Sequence, residues 1–162
     1  NRAEGIFIDS HDRVYVADSC NHRIQIFTGD GHFIRMYGKP GRGLGELSYP
    51  YDICVDSAGR QYVCEFGNSR IQVFDAEDHP MEIIGGPGAE PGQFSNPWSL
   101  ALDSAGDLYV ADSQNHRVQK FIVKKLSAAS LASSAHNFRP DAGWPVDLGV
   151  SAAGLGAGAA LQ

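Results

Sequence analysis

A register of 47 residues governs this chain. The run 9–27 recurs at 103–121 with 12 of 19 residues identical. The copy between them, 56–74, keeps Asp56, Ser57, Tyr62, Val63, Asn68, Arg70, Gln72 and Phe74. Both offsets are 47, with no insertion or deletion. The connecting segments share the register, since Gly38, Pro40, Gly41, Gly45 and Pro50 return as Gly85, Pro87, Gly88, Gly92 and Pro97. A period of this length marks a supersecondary unit stacked on copies of itself, because one unit cannot bury its apolar faces alone.

Turn residues divide each unit into four strand-length pieces. In the second unit these are 52–56, 61–65, 70–75 and 80–84, and the Gly/Pro-rich segment 85–97 leads to the next unit. The pieces 14–17 and 108–111 are apolar on both faces, and such strands need cover on both sides. Four antiparallel strands per unit, stacked face to face around an axis, provide that cover; the arrangement is a β-propeller. A parallel β-helix, the competing repeat fold, has shorter repeats. The 19 glycines suit a chain of frequent turns.

Tyr15-Val16-Ala17-Asp18 followed by Asn21-His22-Arg23-Ile24-Gln25-Ile26-Phe27 resembles the core signature of NHL repeats, and 109–112 with 115–121 repeats it. The lead-in segments 45–50 and 92–97 resemble that family's linker into the inner strand. The middle copy departs with Glu65 for Asp and Ser69 for His. The resemblance covers about residues 5–125. It implies an all-β fold, a partial β-propeller of three four-stranded antiparallel blades forming an arc of a six-bladed NHL propeller. The expected blades lie at about 5–37, 50–84 and 97–125, within a propeller segment 1–125. An open arc leaves blade faces uncovered. The expected partners are therefore another protein, the rest of the chain's own propeller, or further copies meeting through those faces.

Residues 126–162 change character: Ala, Gly and Ser fill 20 of 37 positions, and the repeat register is lost. The expectation is a flexible extension; the alternatives are an interaction segment or a strand completing the third blade. A start at Asn1 suggests a processed chain or a fragment, and the compartment is not readable. The net charge of −6 offers a polyanion no general attraction, which argues against nucleic acid as partner. No apolar run of 18 residues marks a membrane span. Cys54 and Cys64 stand where other copies have Phe7, Ala101, Ala17 and Ala111, and read as small buried apolar residues. Cys20 falls in a loop.

Recurrence assigns most polar residues to structure. Asp18, Asn21 and Arg23 return as Glu65, Asn68 and Arg70 and as Asp112, Asn115 and Arg117. Short polar side chains here are expected to bond backbone of their own turn, with each arginine tied to a carboxylate. His22 and His116 give way to Ser69 in the middle copy, unlike a zinc site with its three or four converging ligands. No nucleophile–base constellation or phosphate-cradling loop appears, so no catalytic residue, metal or cofactor is expected.

Function is sought where the copies differ. Hairpins of an antiparallel meander alternate between two edges, which puts 18–21, 65–68 and 112–115 on the same face as the links 38–50 and 85–97. That loop-rich face collects Arg42, Tyr49, Tyr51, Phe66 and Trp98, residue types that dominate interface energetics. Alternatively, Tyr51 and Trp98 fill the channel or pack between blades. The expected function is a non-catalytic scaffold that binds another protein through this face. The resemblance also implies two alternatives. One is RNA binding, as in the tripartite-motif ubiquitin ligases, whose RING-type Cys/His cluster is missing here. The other is a propeller lyase or lactone hydrolase with a channel metal, for which Asp52 is the candidate ligand.

Overall fold

The computed structural model describes residues 2–122 and 151–153. Their strands form three four-stranded antiparallel sheets. Blade 1 takes β1 (Ile6–Ile8), β2 (Val14–Asp18), β3 (Arg23–Phe27) and β4 (Phe33–Tyr37). Blade 2 takes β5 (Pro50–Val55), β6 (Gln61–Glu65), β7 (Arg70–Phe74) and β8 (Pro80–Ile84). Blade 3 takes β9 (Ser99–Leu102), β10 (Leu108–Asp112), β11 (Arg117–Ile122) and β12 (Ser151–Ala153). The fold is the partial three-blade propeller that the repeat implied.

β12 comes from the Ala/Gly/Ser-rich tail and pairs Lys120 with Ala153, Phe121 with Ala152 and Ile122 with Ser151. For these three residues the structure follows the strand-completing reading instead of the flexible one. The rest of the tail expectation, 126–150 and 154–162, lies outside the described residues.

Local chemistry sets the turns. The carboxylates of Asp9, Asp56 and Asp103 each accept two backbone N–H bonds at 2.9–3.0 Å, from the residues two and four positions on. Such a side chain substitutes for a backbone acceptor and fixes the hairpin. Asp12, Gly59 and Gly106 then take positive φ at the same point of each turn.

Two apolar seams hold the blades together. Tyr15, Ala17, Ile24 and Ile26 of blade 1 pack with Ile53, Val55, Val63 and Phe74 of blade 2. Cys54, Tyr62, Cys64, Ile71 and Val73 of blade 2 pack with Leu100, Leu108, Val110 and Phe121 of blade 3. The inter-blade links drive Leu47 into the first seam and Phe94 into the second, both fully buried. Blade 2, covered on both sides, buries every residue of β6 and β7. β2 buries Tyr15 and Ala17, whereas β10 buries Leu108 and Val110 in the opposite phase. Blades 1 and 3 thus each turn one finished face inward and one apolar face outward.

Candidate functional site

Each loop between second and third strands is built around one carboxylate. Asp18 accepts from Asn21 Nδ2 at 2.9 Å, Arg23 Nε at 2.7 Å and Gln25 Nε2 at 2.9 Å. Glu65 accepts from Asn68 Nδ2 and Arg70 Nε, both at 2.6 Å, from Gln72 Nε2 at 2.8 Å and from the Ser48 N–H at 2.9 Å. Asp112 accepts from Asn115, Arg117, Gln119 and the Ser95 N–H at 2.7–3.0 Å. Burial pushes the Asp18 carboxyl up, but the Arg23 and Asn21 hydrogen bonds outweigh it and hold the group below its ordinary value.

These clusters also bind the links to the blades. Arg70 donates to the carbonyls of Arg42, Gly43 and Glu46 at 2.6–3.0 Å, and Arg117 to those of Ala89, Glu90 and Gln93 at 2.8–2.9 Å. Asn68 and Asn115 donate to Gly41 and Gly88 carbonyls at 2.9 Å. The carboxylates therefore organise side chains and the incoming link more than their own turn. Gln25, Gln72 and Gln119 complete each cluster; their recurrence in all three copies was the signal that could have placed them there.

With that framework fixed, the remaining side chains of the loop-rich face stand out. Tyr51 and Phe66 stack with centroids 4.3 Å apart and planes 15° apart. Trp98 meets both edge-on, at 5.1 and 6.0 Å, and is 51% exposed. Aromatic pairs of this kind contribute roughly 0.5–1.5 kcal/mol beyond buried area. Neither register position is aromatic throughout: Tyr51 and Trp98 are equivalents whose third copy is Glu4, and Phe66 is equivalent to Ser19 and Ser113.

Tyr49 stands apart from this trio. It is 45% exposed at φ 47°, lies edge-on to the His22 ring at 4.6 Å, and its N–H donates to His22 Nδ1 at 3.1 Å. His22 itself sits at φ 55°, as do Ser69 and His116 near 52°, which fits a tight turn position. Arg42 is exposed, and its backbone joins the Glu46 and Arg70 network. Sequence reasoning missed His22 and also Asn96, whose N–H donates to Ser69 Oγ at 3.1 Å and whose side chain donates to the Phe66 carbonyl at 3.1 Å.

Asp52, near the inner strands' mouth, is engaged between blades. Its carboxylate accepts from Ser99 Oγ at 2.6 Å, the Leu100 N–H at 3.0 Å and the Ile53 N–H at 2.9 Å. Asp52 also lines an open cavity of about 740 Å³ walled by β1, β5 and β9 and by the hairpins that follow β5 and β9. Among the described residues no group of three or more His, Cys, Asp or Glu is placed to share a metal ion.

Comparison with known proteins agrees with the fold. The NHL repeat family matches residues 94–121, and a family described as a 6-bladed beta-propeller matches 7–86. Protein brain tumor of Drosophila melanogaster is 39% identical over 46 residues, which span 28% of this chain and 4% of that protein. A Bacteroides caccae protein of unknown function superposes with a TM-score of 0.59 at 16% identity, covering 76% of this chain and 43% of that one. Virginiamycin B lyase of Staphylococcus aureus gives a TM-score of 0.58 at 14% identity, covering 74% and 38%. The chain thus spans less than half the length of these proteins, and the structural likenesses establish the fold alone.

Proposed function

This chain belongs to the NHL-repeat β-propeller family, and from that premise we propose that it is a non-catalytic binding scaffold whose loop-rich face engages another protein. The observation that carries the proposal is the trio Tyr51, Phe66 and Trp98. Three aromatic rings from two register positions, neither of them aromatic in every copy, gather in contact where the recurring framework needs none of them, and Trp98 presents half its surface to solvent. A rigid aromatic anchor beside exposed polar loops is the composition of an interface centre. The engagement of Asp52 Oδ2 by Ser99 and Leu100 and of Oδ1 by Ile53 supports the scaffold reading, since those bonds use the oxygens a channel metal would need.

The test is selection of peptides from a display library on the immobilised chain, followed by calorimetry of the selected peptides. Phe66→Ser installs the residue of the equivalent loops, and Trp98→Ala removes the exposed ring. Either change should weaken binding at least roughly tenfold. Met81→Ala, on the exposed outer strand β8, should leave affinity unchanged. Peptides that bind both aromatic variants as tightly as the parent chain would sink the proposal.

A further inference from the structure

The two outward faces of the arc are the two halves of one kind of seam. On blade 1 the face that no described residue covers presents Ile6, Ile8, Val14, Val16 and Phe27. In blade 2 the residues 47 positions on from four of these, Ile53, Val55, Val63 and Phe74, are buried at 9% exposure or less against blade 1. In blade 1 itself Ile6 and Ile8 are 66% and 59% exposed. On blade 3 the face that no described residue covers presents Tyr109, Ala111 and Val118, whose counterparts Tyr62, Cys64 and Ile71 are buried against the next blade. Val118 is 53% exposed.

One apparent misfit is compensated within blade 3. Lys120 occupies the position of Ile26 and Val73, and Asp107 that of Arg13 and Arg60. In blades 1 and 2 those arginines lie over the seam tyrosines, 5.7 Å from the Tyr15 centroid and 6.0 Å from that of Tyr62. In blade 3 the cation has changed strand: Lys120 Nζ lies 5.1 Å from the Tyr109 centroid and 2.8 Å from the Asp107 carboxylate. The tyrosine keeps its cation and the lysine its counter-charge. Blade 3's open face thus keeps a dressing that its buried equivalents share.

We propose that blade 3 of one copy docks on blade 1 of a second copy, and the reverse, so that two chains close a six-bladed ring about a twofold axis. Three blades are half of the six that the matched family describes, so half a turn brings each open face onto its complement. Each new seam continues the chemistry of the two internal seams, an apolar face with a Tyr–cation pair against an Ile/Val/Phe face. Ring closure leaves the loop-rich face free, so loss of peptide binding there and loss of pairing here are separate outcomes.

Sedimentation equilibrium of the 162-residue chain should give twice 17.4 kDa. Ile6→Glu and Val118→Lys, both at exposed positions, should each weaken pairing at least roughly thirtyfold. Far-UV circular dichroism should stay unchanged, while Met81→Glu on β8 should leave the dimer intact. Mixing the Ile6→Glu and Val118→Lys chains should restore pairing, because the mixed dimer holds one seam without substitutions and one with opposite charges. A monomeric parent chain overturns the proposal and leaves the faces to further blades. Dissociation by only one of the two substitutions also overturns it, since that marks like-with-like pairing of a single face.

Discussion

The Tyr37 hydroxyl donates to Gln61 Oε1 at 2.8 Å across the seam between blades 1 and 2. At the next seam the same register positions hold Ile84 and Leu108, both buried in the apolar cluster there. One seam therefore carries a polar network where its neighbour is wholly apolar. Gln61 Nε2 extends that network to the Asp75 carbonyl at 2.9 Å and Asp78 Oδ1 at 2.7 Å, and Arg35 Nη2 reaches the same oxygen at 3.0 Å. A buried network is favourable only while every member is satisfied.

The seam pair should accordingly be coupled. Gln61→Leu strips Tyr37 of its acceptor and should cost about 1–3 kcal/mol; Tyr37→Ile, which also opens a void, should cost about 2–4 kcal/mol. The double variant installs the pair used at the other seam and should cost less than the sum by about 0.5–3 kcal/mol. Urea unfolding of the four proteins measures this. Strict additivity would show that the two side chains are energetically independent.

Arg70 should be the least replaceable of the recurring arginines. Its side chain is 9% exposed against a fully buried Glu65, and it makes four hydrogen bonds, to Glu65, Arg42, Gly43 and Glu46. A lysine cannot reproduce that fork. Arg70→Lys should therefore cost nearly as much as Arg70→Ala, on the order of 3–5 kcal/mol. Arg23 is 32% exposed with one short bond to Asp18, and Arg23→Lys should cost clearly less. Equal losses at the two sites would contradict the role assigned to the link carbonyls.

The fold was legible because the repeat exposes its own rules: one copy tests the reading of another, and turn residues at a fixed phase leave few options for the strands between them. Burial was only half legible. Val16 and Val63 are the same residue at the same register position, yet one is half-buried and the other fully buried, because among the described residues only blade 2 has neighbours on both sides. The aromatic residues could be named from their failure to repeat, but not grouped. Tyr49 and Tyr51 are two residues apart, and the backbone between them sends Tyr49 to His22 and Tyr51 to Phe66. β12 was least legible, since its Ser-Ala-Ala sequence carries no strand preference, and its pairing with β11 is a matter of position.

Two glycines with similar backbone should separate strain from crowding. Gly85 has φ 71° and Gly106 φ 88°, so an alanine at either adopts a disfavoured backbone. A Cβ at Gly85 would lie 2.6 Å from the Gly92 carbonyl oxygen and against the buried Phe94 ring, whereas one at Gly106 meets nothing within 4 Å. Gly106→Ala should cost about 1 kcal/mol, and Gly85→Ala at least about 2 kcal/mol more because Phe94 must leave its seat in the second seam. Thermal melts decide the matter. Matching losses would mean the link relaxes freely around Phe94.

The three cysteines should react as two classes. Cys20 is exposed, while Cys54 and Cys64 are buried in the seam between blades 2 and 3, where burial pushes both thiols well above their ordinary range. A thiol raised by burial holds almost no thiolate near neutral pH, and the thiolate is the reacting form. A maleimide should therefore label one cysteine in the native chain and three in guanidinium. Slow labelling of Cys54 and Cys64 then reports opening of that seam, and Gly85→Ala should accelerate it while leaving Cys20 unchanged. Rapid native labelling of two or more thiols would mean that blade 3 does not stay closed on blade 2.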